Sequence, residues 1–126
     1  MNVVDSSAWL EYFGKGPNAA VFAPVIRDTK SLVVPVITLY EVFKRIRLQV
    51  GEDAAFEGVG YMLHGKVIEL DMMLSLSAAL LSRQHKLPMA DSIILATAYA
   101  YDAEVWTQDA DFDGIEGVRY FAKPTS

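Results

Sequence analysis

The stretch LPMADSIILATAYAYDAEVWTQDADF, residues 87–112, carries two periodicities in succession. Residues 89–101 form a mostly apolar helix pattern with Asp91 near its start. Residues 104–107 form a short strand pattern that runs out into Asp109 and Asp111. A helix feeding directly into a short apolar strand is half of a βαβ unit, so this segment predicts an α/β chain. It also poses a problem, because a segment composed for burial keeps acids at both ends.

The rest of the chain repeats the alternation. Residues 3–5 (VVD) read as a buried strand, and SSAWLEYF as a helix with Asp5 or Ser6 as its N-cap. Gly14, Gly16 and Pro17 break that helix. Helices are expected over 18–29, 38–50, 53–63 and 72–86, with Gly51 and Pro88 as interruptions, and strands over 32–35, 67–70 and 118–121. The expected architecture is a three-layer α/β/α arrangement around a central parallel sheet. Repeats, low-complexity tracts and linkers are not seen, so residues 1–126 read as one domain around one core. In open α/β sheets, ligands sit beyond the carboxyl ends of the strands. Asp5 and Asp109 each close a strand pattern at that edge.

Composition narrows the class. With 52% hydrophobic and 21% charged residues, the chain is globular rather than disordered. No apolar run reaches the ~18 residues of a membrane span, and MNVVDSSAW lacks the regions of a signal peptide, so a cytoplasmic protein starting directly in a strand is expected. The absence of cysteine rules out disulfides and thiolate metal sites. The net charge of −5 argues against a nucleic-acid binder, but it hides the basic cluster KRIR at residues 44–47.

Each acid has a local explanation as well as a functional one. Asp91 shares a helical stripe with Ile94, Leu95 and Ala98, where an unpaired carboxylate is costly, although a first-turn Asp is also favoured by the helix dipole. Asp5 serves equally as a cap. Glu41 lies opposite an expected apolar stripe of Leu39, Phe43, Ile46 and Val50. It completes a capping box with Thr38 and has ion-pair spacing to Arg45. Asp109, Asp111 and Asp113 suit a turn, with Asp109 nearest the strand end.

If Asp5, Glu41, Asp91 and Asp109 meet, each like-charge pair near ~4 Å costs about 4 kcal/mol at an effective dielectric of 20. Such a cluster must bind cations or retain protons. Oxygen ligands without His or Cys point to Mg²⁺, or to Mn²⁺. These ions contact phosphates and support in-line displacement, which makes a phosphodiester the expected substrate.

VVDSSAWLEYF, TLYEVFKR, LPMADSIILATA and WTQDADF, in that order, resemble the PIN domain, and more narrowly the VapC-type toxin ribonucleases of toxin–antitoxin pairs. The resemblance covers nearly the whole chain. It places the family's four acids on Asp5, Glu41, Asp91 and Asp109. It implies Mg²⁺-dependent endonucleolytic cleavage of RNA, with Asp5, Asp91 and Asp109 as metal ligands and Glu41 binding directly or through water. Ser6, Thr107 and Asp111 would support them, and Lys44, Arg45 and Arg47 would contact phosphates. It further implies a homodimer and a cognate antitoxin, seated in a groove near Trp9, Tyr12 and Phe13. Two other readings compete. A receiver-like phosphotransfer domain would want adjacent acids after its first strand, where this chain has two serines. A catalytically inactive PIN-like module that only binds a partner would not need the four acids.

Overall fold

The computed structural model describes residues 1–124. The expected helices and strands all form, with ends displaced by no more than two residues. In chain order they are β1 (Asn2–Val4), α1 (Ser6–Phe13), α2 (Ala19–Arg27), β2 (Leu32–Pro35), α3 (Val36–Gln49), α4 (Glu52–Met62), β3 (Lys66–Ile68), α5 (Met72–His85), α6 (Met89–Ala100), β4 (Glu104–Thr107) and β5 (Val118–Tyr120). Two 3₁₀ turns, Thr29–Ser31 and Ala110–Phe112, were not anticipated. Both are single turns, too short to leave a periodicity.

The five strands form one parallel sheet in the order β3-β2-β1-β4-β5. Successive residues alternate between its faces. Val3, Val33, Ile68 and Val105 pack with α5 and α6 on one side. Val4, Leu32, Val34 and Trp106 pack with α1 to α4 on the other. This is the three-layer α/β/α arrangement expected from the sequence. Helix α6 is buried at seven consecutive positions, Ser92 to Ala98, which explains a pattern apolar nearly all round. Lys86 adopts a left-handed conformation (φ 56°) that closes α5 and turns the chain into α6. Among the described residues, no helix is long and apolar enough to cross a membrane.

Helix α3 departs most from its sequence reading. It starts at Val36, two residues early, because Pro35 both ends β2 and occupies the N-cap. Proline supplies a fixed φ near the helical value, and the chain turns without a capping side chain. Thr38 therefore lies inside the helix, donating from Oγ1 to the Pro35 carbonyl at 2.7 Å, and the expected Thr38–Glu41 capping box does not form. The buried stripe is Thr38, Val42 and Ile46, while Val50 is 76% exposed. That rotation moves Glu41 from the far side of the helix to the margin of its buried face.

The chain leaves β1 for α1 on one face and enters β4 from α6 on the other, so the strand order reverses between β1 and β4. A crevice opens beyond the strand ends at such a switch point. Val4 pairs with Trp106, and the Asp5 backbone N–H donates to the Trp106 carbonyl at 3.1 Å. The sheet thus delivers Asp5 and the 107–109 segment side by side to that crevice.

Candidate metal centre

Asp5, the first residue after β1, is the N-cap of α1, and its side chain accepts from the Ala8 N–H at 3.2 Å. Capping and the crevice therefore share one carboxylate, and Ser6 does not take over the cap. Glu41 comes from the second turn of α3 and Asp91 from the first turn of α6. Asp109 caps the 3₁₀ turn after β4, accepting from the Asp111 N–H at 2.9 Å. These four acids, contributed by four separate segments, line one cavity of about 540 Å³ together with Ser6, Ser7, Tyr40, Lys44 and Arg45. Arg47 does not line it. It lines an adjoining apolar groove instead.

The supporting hydroxyls hold the carboxylates in place. Ser6 Oγ donates to Glu41 Oε1 at 2.6 Å, tying α1 to α3. The ion pair expected between Glu41 and Arg45 does not form among the described residues. Thr107 Oγ1 accepts from the Asp109 N–H at 2.9 Å, and its hydroxyl lies 3.5 Å from that of Ser7. Ser7, which the sequence reading passed over, donates to Asp5 at 2.9 and 3.1 Å to the two carboxylate oxygens. The signal for it was weak, since it is the second serine of a helix start and looks like an ordinary first-turn residue. Asn18 was also missed. Its side-chain amide donates to Gln108 Oε1 and to the Ala122 carbonyl, both at 3.1 Å, which braces the turn carrying Asp109.

The electrostatics are those of an uncompensated acidic cluster. Burial raises the Asp5 carboxyl from 3.8 to about 7, against the opposing hydrogen bonds from Ser7, Ala8 and Thr107. Asp91 is also raised to about 7, first by burial and then by the charges of Asp109, Asp5, Glu41 and Asp111. Among the described residues the only ion pair is Arg119–Glu104, remote from this cluster, so no cationic side chain neutralises it at salt-bridge distance. Asp91, Asp109 and Asp111 each offer an oxygen within 4.8 Å of the others. Asp111 thus joins Asp91 and Asp109 within ligand reach, although the sequence ranked it lower. Hard oxygen donors, an excess of negative charge and raised proton affinities together fit a divalent cation.

Replacing Ser7 by Ala tests the outer support of this cluster. Loss of its two hydrogen bonds leaves the Asp5 charge less stabilised, so the metal competes less favourably with the proton for that carboxylate. We expect the Mg²⁺ concentration for half-saturation at pH 7, followed by thermal shift, to rise by roughly tenfold, as for other outer-sphere partners.

The aromatic groove anticipated at Trp9, Tyr12 and Phe13 needs correction. Trp9 is 1% exposed and packs in the core, stacked on Phe13. Phe13 and Leu10, with Tyr61 and Ala54 of α4, line a separate groove of about 530 Å³.

Comparison with known proteins places these features in a family. Residues 3–118 match the family model described as the PIN domain. No curated protein sequence matched. Among solved structures, a toxin–antitoxin complex from Klebsiella pneumoniae has a chain 24% identical, with a TM-score of 0.76 over 94% of this chain and 96% of that one. The Sarcin-Ricin loop cleaving toxin VapC20 of Mycobacterium tuberculosis is 15% identical, with a TM-score of 0.78 over 92% and 95% of the two chains. DNA-bound VapBC from Salmonella typhimurium is 18% identical, with a TM-score of 0.71 over 98% and 100%. At these identities the structural likeness speaks for the fold alone, while the family match spans nearly the whole sequence. The chain belongs to the PIN domain family.

Proposed function

We propose that this chain is a single-domain, Mg²⁺-dependent endoribonuclease, the toxin of a type II toxin–antitoxin pair. One observation carries the reading: Asp5, Glu41, Asp91 and Asp109, from four segments of the chain, line one cavity and lack cationic partners among the described residues. The named neighbours, a toxin–antitoxin complex and a loop-cleaving toxin, support the biological setting.

In this reading Asp5, Asp91 and Asp109 hold Mg²⁺, or Mn²⁺, with Asp111 within reach. When bound, the ion lowers the pKa of water and stabilises charge on the attacking and leaving oxygens. Glu41, fixed by Ser6, orients the water that attacks phosphorus. The bond from phosphorus to the 3′-oxygen breaks, giving a 5′-phosphate and a 3′-hydroxyl. Lys44 and Arg45, on the cavity rim, contact flanking phosphates.

The partners follow from exposed apolar surface. An antitoxin segment would occupy the groove of Leu10, Phe13 and Tyr61 rather than the buried Trp9. A second copy would cover the outer face of α5, where Met72, Met73, Leu76 and Leu80 are all more than half exposed. Such a pair would act in the cytoplasm.

The test is cleavage of a mixed RNA pool. We expect products with Mg²⁺, none with excess EDTA, and recovery when Mg²⁺ is restored. Absence of cleavage by a metal-replete protein would favour the inactive partner-binding module.

A further inference from the structure

The acidic cavity does not end at its carboxylates. It runs into a second concavity of about 690 Å³ between α3 and α4, and the two share Tyr40, Lys44 and Leu48. These three residues follow one another at i, i+4 and i+8, so they form one stripe along α3. The second concavity is lined further by Phe43, Arg47 and Phe56 and is mostly apolar. Tyr40 is 57% exposed and Phe56 58% exposed. Lys44 Nζ lies 3.4 Å from the Tyr40 hydroxyl and 5.6 Å from the ring centre. The ammonium therefore sits toward the hydroxyl edge and does not cover a ring face.

We propose that Tyr40 is a stacking platform for a nucleobase next to the cleaved phosphate, with Lys44 on the adjoining phosphate, so that the substrate strand enters unpaired across α3. The proposal rests on the nuclease reading above and extends it to the form of the substrate. A single-stranded polynucleotide alternates an anionic group with a flat apolar ring. The surface offers the same alternation: carboxylates, then an aromatic face beside a cation, then an apolar groove flanked by Arg47. Tyr40 lines the same cavity as the four acids, which puts the platform beside the cleaved phosphate. Stacking tolerates any base and requires that it be splayed from a duplex. A chain with a net charge of −5 has few places where a polyanion can lie, and the Lys44–Arg47 face of α3 is the basic surface that borders the acids.

The experiment uses the full-length protein and a short single-stranded RNA containing 2-aminopurine, whose fluorescence is quenched on stacking. Binding is measured in Ca²⁺ to separate it from cleavage, and cleavage is measured separately in Mg²⁺. Tyr40→Ala is expected to weaken binding roughly 5- to 150-fold, the equivalent of about 1–3 kcal/mol per stacked base, and to lose most of the quenching. Tyr40→Phe should retain both. The Mg²⁺-dependent thermal shift of Tyr40→Ala should match that of the wild type, which excludes a disturbed metal cluster. A wild-type protein that quenches the probe but does not cleave would support the platform and overturn the nuclease reading. Wild-type affinity and quenching in Tyr40→Ala, or failure of Tyr40→Phe to retain them, would overturn the platform and leave the groove to a protein segment. Equal affinity for the same RNA annealed to its complement would overturn the requirement for an unpaired strand.

Discussion

Asp91→Asn is expected to abolish cleavage while making the metal-free protein more stable. Loss of even an outer-sphere partner at a metal site costs roughly 10–100-fold, so loss of a direct ligand should reduce the rate by more than about 100-fold. The stability effect runs the other way. Asp91 is penalised by burial and by four neighbouring carboxylates, which hold its proton to about pH 7. An amide of the same shape carries no charge to desolvate or repel. At pH 8 without metal, the melting temperature of Asp91→Asn should exceed that of the wild type. Addition of Mg²⁺ should raise the wild type but not the variant. Both measurements use one protein preparation, and wild-type cleavage by the variant would remove Asp91 from the site.

The same charges make stability depend on pH in a direction opposite to that of most acids. Asp5 and Asp91 have folded pKa values of about 7, raised above the ordinary value of 3.8. Between those limits the folded state binds more protons than the unfolded chain, so folding stability falls as pH rises through this window. Above pH 7 both states are ionised and the loss is complete. For the buried Asp5 alone, the part of the window between pH 5 and pH 7 corresponds to about 3 kcal/mol. That is a fall in melting temperature of roughly 10 °C for a domain of this size. We expect the metal-free protein to melt lower at pH 8 than at pH 5. Mg²⁺ should restore the difference mainly at pH 8, where the carboxylates are free to bind it. A metal-free melting temperature that rose between pH 5 and pH 8 would contradict the crowded cluster.

Much of this arrangement is legible in the residues themselves. The apolar strands at VVD and EVWT and the mostly apolar helix over residues 89–101 specify a parallel sheet with helices on both sides. Asp5 and Asp109 follow from the rule about strand ends. Glu41 was the hard case, since Thr38 and Arg45 offered it two local partners at good spacing. The outcome turned on a distant partner: Glu41 accepts from Ser6 of α1, 35 residues away, while Pro35 starts α3 early and leaves Thr38 inside the helix. The buried stripe of α3 runs through Thr38, Val42 and Ile46 rather than Leu39, Phe43 and Val50, and that choice is made by packing against the rest of the fold, which local spacing does not record. Ser7 and Asn18 were illegible for another reason. Asn18 acts on Gln108 and Ala122, 90 and 104 positions away, and Ser7 combines its local bond to Asp5 with contacts to Thr107 and Gln108, 100 and 101 positions away.

The pairing of β1 with β4 also bears on when activity can arise. Asn2 aligns with Glu104, and Asp5 faces the turn that carries Asp109. Asp5 precedes Asp109 by 104 residues, so the first carboxylate is synthesised well before the last. At about 5–20 residues per second, several seconds separate them. During that interval β1 has β2 as a neighbour but no β4, and the pocket has only one wall. On the nuclease reading proposed above, a chain made in this order has no complete acidic cluster until β4 and the turn after it have been synthesised.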